Sequence, residues 1–280
     1  MTVLPAHPPR PAEVLAQAGA ENFPVASRLF PRDLRPHLMN VYGFARMVDD
    51  VGDEAAGDRS ALLDCVASEL DAVFGGRPTH PLMNRLAATV ERFDLPRQPF
   101  DSLIEANRRD QTIHRYRTYG ELADYCTYSA NPVGELVLRI TGTLTAERLA
   151  LSDSTCTGLQ LVEFWQDLGE DGANDRVYIP LEDIERFGYS VEQLLAGEND
   201  DRFVQLMRFE AARTRALLVE GRQLARSIGG RIGLAVRLYA AGGLAALADL
   251  ERRRFDTLGT SAHASRPRRA ATAFRELIRR

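Results

Sequence analysis

The sequence predicts an all-α fold in a single domain, and three observations lead to this prediction. Over most of the 280 residues, apolar side chains recur at intervals of three and four, the spacing of one helix face. No stretch alternates apolar and polar residues for long enough to form a β-strand. The 45% hydrophobic composition shows no break that separates two cores. We therefore expect roughly ten helices around one core.

Composition divides the chain into three regions. We expect a proline-rich N-terminal arm at 1–11, a helical domain at 12–258 and a basic tail at 259–280. Residues 251–280 carry nine arginines against three acidic residues. An arginine-rich segment with apolar side chains on one side is typical of a peripheral contact with an anionic membrane. A tail without fixed structure is the alternative.

The predicted helices are bounded by glycine and proline. The first is short, at 12–20, and the second begins at Leu34. Glycines followed by a proline at 75–78 stop the third helix in the usual order. The helices predicted after the second lie at 59–74, 81–93 and 99–111.

The second half of the chain continues this pattern. The segment 119–141 is long and apolar, and Pro132 with its small neighbours predicts a kink at 129–134. Gly229 and Gly230 predict a break between two long helices, and no strand precedes them, which argues against a dinucleotide-binding loop. The remaining helices are predicted at 145–171, 181–187, 191–196, 202–228 and 232–255.

The segment 158–180 carries polar residues where a buried helix should have none. At about 100° per residue, Gln160, Glu163, Asp167 and Asp171 share one stripe of a helix that is otherwise apolar. This pattern predicts that the helix lines a cavity. Asp167 and Asp171 repel each other at this spacing, so a positively charged partner is expected. For Gln160 and Glu163, the alternative is a polar network that only fixes the position of the helix.

A second acidic pair ends the helix that begins at Leu34. Its apolar face leads into Asp49 and, one turn later, Asp53, and Arg46 lies on the same face. Because two acidic pairs lie on inward-facing stripes, we predict that a divalent cation binds between them. Carboxylate oxygens suit Mg²⁺, which usually bridges carboxylates to a phosphate. For either motif alone, the alternative is an acidic pair on the solvent-exposed surface. For Arg46, the alternative is an ion pair with Asp49.

Cysteines, histidines and hydropathy exclude several classes of protein. The three cysteines, Cys65, Cys126 and Cys156, are far apart and are expected to be reduced packing residues. The five histidines lack metal-ligand spacing, so no zinc site is expected. No uninterrupted run of about 18 apolar residues occurs, which predicts neither secretion nor a transmembrane span. We expect a cytoplasmic protein, with the inner face of the membrane as a site of peripheral contact and without a nucleic-acid partner.

The two acidic motifs and their flanks carry a resemblance to a known family. The first reads DDVGD at 49–53, with Tyr42 and Arg46 before it, and the second reads DLGED at 167–171, followed by NDRVY. Further matches are DQT at 110–112, YC at 125–126, ENFPVAS at 21–27 and SANPVG at 129–134. With these motifs the chain resembles the squalene/phytoene synthase family of isoprenoid synthases, and most resembles its bacterial hydroxysqualene synthases of hopanoid biosynthesis.

The resemblance implies an all-α isoprenoid synthase fold with a central cavity between two Asp-rich helices. It implies Mg²⁺ on a diphosphate, and conversion of presqualene diphosphate to hydroxysqualene by ionisation, rearrangement and water capture, without NADPH. The implied catalytic residues are Tyr42, Asp49, Asp53, Glu163, Asp167 and Asp171, of which the four aspartates are also the metal ligands. The residues implied for binding the substrate or its diphosphate are Asn22, Phe23, Arg46, Gln160, Arg176 and Tyr178.

Some assignments have alternatives at this stage. Relatives commonly have asparagine where this chain has Glu163, so this carboxylate is either an extra metal ligand or a general base that holds the attacking water. Arg176 and Tyr178 either bind phosphate or cap a loop. An enzyme that makes presqualene diphosphate or phytoene by head-to-head condensation is the second function, and a synthase-like assembly factor is the third. The presence of all four aspartates argues against the assembly factor.

Overall fold

The computed structural model describes residues 29–259, and this part of the chain is helical as predicted. An isolated parallel bridge between Arg115 and Val177 is the only β pairing in that range. The eleven described helices are α1 Arg35–Asp53, α2 Arg59–Gly75, α3 Pro81–Phe93, α4 Gln98–Arg109, α5 Tyr119–Ser129, α6 Asn131–Ile140, α7 Ala146–Ala173, α8 Leu181–Arg186, α9 Val191–Leu195, α10 Asp201–Ile228 and α11 Gly230–Arg252. The predicted arm at 1–11, the helix at 12–20 and nearly all of the basic tail lie outside the described residues.

Helix ends follow local signals in the sequence. Asp58 caps α2 by accepting a hydrogen bond from the Ala61 N–H, and α2 ends at Gly76, whose φ of 103° is left-handed. The predicted helix 81–93 has the same bounds in the structure. Gly229 and Gly230, with φ of 69° and 55°, form the predicted break between α10 and α11.

The predicted kink at 129–134 is a complete break between two helices. Ala130 ends α5 and precedes α6, whose first turn contains Pro132. Proline lacks the N–H that would continue α5, so the break falls where the sequence predicts it. Gly134 lies against α7, because a Cβ at this position would be 2.4 Å from Ser152 Oγ. The small residues after the break therefore allow α6 and α7 to pack closely.

Two large clusters of buried apolar side chains form the interior. One contains residues of α5, α7, α10 and α11, with Trp165 and Phe203 fully buried. The other contains residues of α1 to α4 and α6, with Phe44 and Phe100 fully buried. The acidic motif 49–53 lies on a helix of the second cluster and the motif 167–171 on a helix of the first. The candidate site therefore depends on how these two clusters meet.

Helix α11 is long and apolar enough to cross a bilayer by length and composition, and it is the only described helix that is. The sequence predicts no transmembrane helix, because it contains no uninterrupted run of about 18 apolar residues. A core helix of a soluble protein passes the same test, and one side of α11 packs against α7 and α10. A Cβ at its Gly243 would lie 2.8 Å from Leu159 Cδ2 and 3.1 Å from Leu218 Cδ1. The three cysteines are free, as predicted.

Candidate active site

The first acidic motif is held by an amide from α4. Asn107 Nδ2 donates a hydrogen bond to Asp49 Oδ1 at 3.0 Å. The side chain of Asn107 passes directly over Gly52, where a Cβ would lie only 2.1 Å from Asn107 Oδ1. Gln111, one turn further along, donates to the Gly52 carbonyl oxygen at 3.1 Å. The glycine of the DDVGD motif therefore leaves the space through which α4 reaches Asp49.

An ion pair brings the two acidic motifs together. Arg176, in the turn after α7, places Nη1 2.7 Å from Asp53 Oδ1, and its backbone N–H donates to the carbonyl oxygen of Asp171 at 2.8 Å. Asp175, with a left-handed φ of 58°, shapes this turn. Burial alone would lower the pKa of Arg176, but the hydrogen bond to Asp53 raises it. The guanidinium stays charged and links the C-terminal ends of α1 and α7.

A buried carboxyl group lies beside this ion pair. Tyr125 Oη donates to Asp110 Oδ2 at 2.5 Å, and Asp110 Oδ1 is buried without a hydrogen-bond partner. The pKa of Asp110 is raised to about 7, and burial is the main cause. The charges of Asp53 and Asp49 also raise this pKa, whereas the Tyr125 hydrogen bond and the charge of Arg176 lower it. The pKa of Asp110 therefore depends on the charges of the first motif and of Arg176. Sequence reasoning matched Asp110 and Tyr125 to the family motifs but did not name them as site residues.

Aromatic rings pack behind the charged groups. Tyr178 stacks on Phe164 with ring centroids 3.9 Å apart and an interplanar angle of 5°. Tyr116 and Tyr125 lie 5.8 and 6.1 Å from Tyr178 by centroid. Burial raises the pKa of Tyr178, and the charges of Asp110 and Asp171 add to this effect. Tyr178 thus lies in an aromatic cluster next to the acidic groups, and its predicted role in binding diphosphate stays a prediction.

Arg46 forms ion pairs on α1 itself. Its Nη2 lies 2.7 Å from Asp50 Oδ1 and 3.3 Å from Glu54 Oε1. Arg46 thus pairs with Asp50 and Glu54, which the sequence analysis did not name as its partners. Tyr42, one turn before Arg46, is half-buried.

The polar stripe of α7 is more open than the sequence predicts. Gln160 Nε2 donates to Glu163 Oε2 at 3.4 Å, and Glu163 is exposed. Asp167 is half-buried, and Asp171 is only 5% exposed. On α1, Asp49 is exposed. Of the four aspartates, whose stripes were predicted to face inward, only Asp171 is buried, because the stripes end at a face that solvent reaches. Asn22 and Phe23 lie outside the described residues.

The donor groups fit magnesium better than a preformed metal cage. Among residues 29–259, no group of three or more His, Cys, Asp or Glu side chains could hold a metal ion. The aspartates instead form one pair on each of two helices. Mg²⁺ is commonly held by one or two carboxylates plus substrate phosphate oxygens. Asp49, Asp53, Asp167 and Asp171 are therefore suited to an ion that is shared with a diphosphate.

Known proteins resemble this chain in sequence. The sequence family described as squalene/phytoene synthase matches residues 16–271. Hydroxysqualene synthase from Sinorhizobium fredii is 37% identical over 212 residues, which cover 74% of this chain and 71% of that protein. The 15-cis-phytoene synthase from a Synechocystis species is 34% identical over 210 residues, which cover 70% of this chain and 62% of that protein.

A solved structure shows the same architecture. Squalene synthase HpnC from Alicyclobacillus acidocaldarius superposes with a TM-score of 0.79 at 45% sequence identity, over 83% of this chain and 88% of that one. The predicted isoprenoid synthase fold is thereby confirmed. The central cavity stays a prediction.

Proposed function

We propose, from the premise that this chain belongs to the squalene/phytoene synthase family, that it converts presqualene diphosphate into hydroxysqualene and diphosphate. Family membership makes the chain an isoprenoid synthase that acts on prenyl diphosphates. The observation that carries the more specific proposal is the Gln160–Glu163 pair on α7. This pair supplies a carboxylate that belongs to neither acidic motif and can accept a proton.

The leaving group is expected at the acidic end of the site. Asp49, Asp53, Asp167 and Asp171 would hold Mg²⁺ there, and the bound ion would neutralise negative charge that develops on the departing diphosphate. Arg176 contributes a fixed positive charge at the same place, between Asp53 and Asp171. Groups that are oriented before the reaction lower its barrier because they need no reorganisation during the charge separation.

The proposed reaction balances without a redox cofactor. The bond between carbon and the diphosphate oxygen breaks, and the electron pair leaves with diphosphate. The resulting cyclopropylcarbinyl cation rearranges, a water oxygen forms a bond to the cationic carbon, and the Glu163 carboxylate accepts the proton released from that water. No hydride is consumed, so we propose that NADPH is not required.

The position of Glu163 suits this division of tasks. It precedes Asp167 by four residues and Asp171 by eight on α7, which is about 6 and 12 Å along a helix axis. Proton transfer at Glu163 would therefore occur one turn before the nearer aspartate of the motif. The Gln160 amide, 3.4 Å from Glu163 Oε2, orients the carboxylate. Because Asp167 is only one turn away, an additional metal ligand is the second role that this position allows.

A condensing enzyme is the second candidate. A 15-cis-phytoene synthase is 34% identical to this chain, close to the 37% of a hydroxysqualene synthase. Such an enzyme would join two prenyl diphosphates head to head. A non-catalytic assembly factor is disfavoured, because Arg176 and the four aspartates are all present.

We further propose a cytoplasmic location with peripheral contact to the inner face of the membrane through the basic tail. Residues 260–280 lie outside the described part. Shortly before the tail, Arg254 Nη2 lies 2.7 Å from Asp201 Oδ1, so this arginine is engaged within the domain. Vesicle flotation with and without residues 260–280 tests the tail, and equal flotation of both forms would remove this part of the proposal.

The test of the proposed function is product analysis with each substrate separately. Purified protein with Mg²⁺ is incubated with presqualene diphosphate in one reaction and with farnesyl diphosphate in another. The proposal predicts hydroxysqualene from presqualene diphosphate. Turnover of farnesyl diphosphate alone, to presqualene diphosphate or a hydrocarbon, would favour the condensing enzyme.

A further inference from the structure

An arginine-lined cavity lies far from the acidic site along α1. Its volume is about 430 Å³, and it is lined by Phe30, Pro31, Arg32, Arg35 and Arg231. Arg35 is the first residue of α1. Asp49 follows fourteen residues later, which corresponds to about 21 Å along the helix axis. The cavity is therefore separate from the site proposed for the diphosphate of the substrate.

The described residues that line this cavity carry positive charge. Three guanidinium groups line it, and Arg35 Nε donates to the Phe30 carbonyl oxygen at 3.0 Å. The acidic residue of this segment, Asp33, lies with its carboxylate 3.8 Å from Arg92. Guanidinium groups present several N–H donors in one plane and bind phosphate oxygens in pairs. The chemistry of the cavity therefore suits a phosphate group.

An exposed apolar face begins at the same place. Arg231, Leu234 and Leu238 are spaced by three and four residues and share one side of α11. Leu234 and Leu238 are 44% and 45% exposed, the highest values among the large apolar side chains that are exposed in residues 29–259. The same side of α11 continues through the exposed Ala241, Ala245 and Ala248. This open side accounts for the low burial, 39%, of the most apolar window in α11.

We propose that this surface, formed by the arginine-lined cavity and the Leu234/Leu238 face of α11, docks on an anionic phospholipid bilayer. The arginines would take phosphate headgroups, and the two leucines would enter the interfacial layer. Helices bind membranes in this way when cationic and apolar side chains lie side by side. The inference goes beyond the proposed reaction and does not depend on its outcome.

Charge favours a bilayer over a second copy of the chain. A symmetric dimer contacts the same patch on both subunits, so two arginine-lined cavities would be brought into one interface. Like charges oppose such a contact, whereas an anionic surface attracts it. A substrate with long prenyl chains also partitions into membranes, and α1 spans the distance between this surface and the acidic motif.

The test is sedimentation of the full-length protein with vesicles of phosphatidylcholine, with and without phosphatidylglycerol. We expect binding that requires phosphatidylglycerol and weakens with salt. The double variant Arg32→Gln/Arg231→Gln should lower partitioning about thirtyfold, because each arginine near an anionic surface strengthens binding about five- to sixfold. The matched control is Arg77→Gln/Arg186→Gln, which removes the same charge from exposed arginines elsewhere and should change partitioning little beyond the effect of net charge.

A variant and a matched control also test the contribution of the Leu234/Leu238 face. Leu238→Ser should lower partitioning several-fold, because it removes an apolar side chain from the interface. Leu195→Ser removes a side chain that is 43% exposed and should have no effect. Circular dichroism melting of all variants establishes that each is folded.

Three results would overturn the inference. The first is equal partitioning of wild type and Arg32→Gln/Arg231→Gln. The second is an increase in melting temperature of the wild type with inorganic phosphate, lost in Arg32→Gln/Arg231→Gln, without any binding to vesicles, which would assign the cavity to a soluble phosphate. The third is a dimer by light scattering that dissociates in Leu238→Ser, which would assign the leucine face to self-association.

Discussion

Arg176 and Asp53 form an ion pair at 2.7 Å, although 123 residues separate them in sequence. The two side chains are only 15% and 24% exposed, so solvent screens their attraction less than that of a surface pair. Through this contact the turn after α7 is fixed to the end of α1. The charge arrangement proposed for binding diphosphate is thus established by tertiary structure before a substrate arrives.

Replacing Arg176 should therefore impair catalysis more than folding of the helices. We expect Arg176→Gln to lower kcat on presqualene diphosphate about 10²- to 10³-fold, the range for loss of one oriented charge-stabilising group. Steady-state kinetics measures this. Arg77→Gln, at an exposed arginine two residues after the end of α2, is the control and should retain activity. A kcat for Arg176→Gln within twofold of wild type, a change of less than about 1 kcal/mol, would contradict the role.

Replacing Asp49 and replacing Asp53 should have the same effect on activity but different effects on stability. Asp49→Asn and Asp53→Asn should both abolish turnover if each carboxylate holds Mg²⁺. Asp53→Asn should also lower the free energy of unfolding by about 1–3 kcal/mol, because it leaves Arg176 without its ion-pair partner. Asp49 is exposed, so its replacement should not destabilise the fold. Activity against magnesium concentration and thermal melting test both statements, and full activity of Asp49→Asn at low magnesium would contradict the metal role.

Gly52 should not tolerate a side chain. In Gly52→Ala the new Cβ would meet Asn107 Oδ1 at 2.1 Å, so Asn107 must move away from Asp49. We expect lower activity and a loss of about 1–3 kcal/mol in unfolding free energy, as for other overpacked sites. Gly75→Ala is the matched control, because nothing lies within 4 Å of its Cβ and alanine favours a helix by up to about 1 kcal/mol. Wild-type activity in Gly52→Ala would refute the proposal that Gly52 leaves space for Asn107 to reach Asp49.

Helix positions could be predicted from the sequence because they depend on nearby residues. Apolar spacing and the proline after His80 place α3 at Pro81–Phe93, with the predicted bounds. Pro132 places the break between α5 and α6. The acidic motifs are also local, since a turn of helix is enough to pair Asp49 with Asp53 and Asp167 with Asp171.

Contacts that organise the site could not be predicted in the same way. The hydrogen bond from Asn107 to Asp49 joins residues 58 apart. The sequence did contain one indication that Asn107 has a partner. Asn107 shares a face of α4 with the buried Phe100 and Leu103, and a polar residue on a buried face needs a hydrogen-bond partner. The exposure of Glu163 could not be read from periodicity, because a polar stripe looks the same whether it lines a cavity or faces solvent.

Glu163→Gln tests the proposed proton acceptor. Glutamine keeps the shape and the contact with Gln160 but cannot take a proton from water at neutral pH. We expect slower alcohol formation and more eliminated or rearranged hydrocarbon from presqualene diphosphate, as seen by chromatography of the products. Glu147→Gln, an exposed glutamate of α7's first turn, is the control. An unchanged rate and alcohol yield in Glu163→Gln would clear this residue of the role.

Isotope tracing tests the central claim most directly. Purified protein is incubated with Mg²⁺ and presqualene diphosphate in ¹⁸O-labelled water, without NADPH, and the product is analysed by mass spectrometry. The account predicts hydroxysqualene that carries ¹⁸O in its hydroxyl group, because the oxygen comes from captured water. Squalene formed only when NADPH is added, with no labelled alcohol, would contradict it.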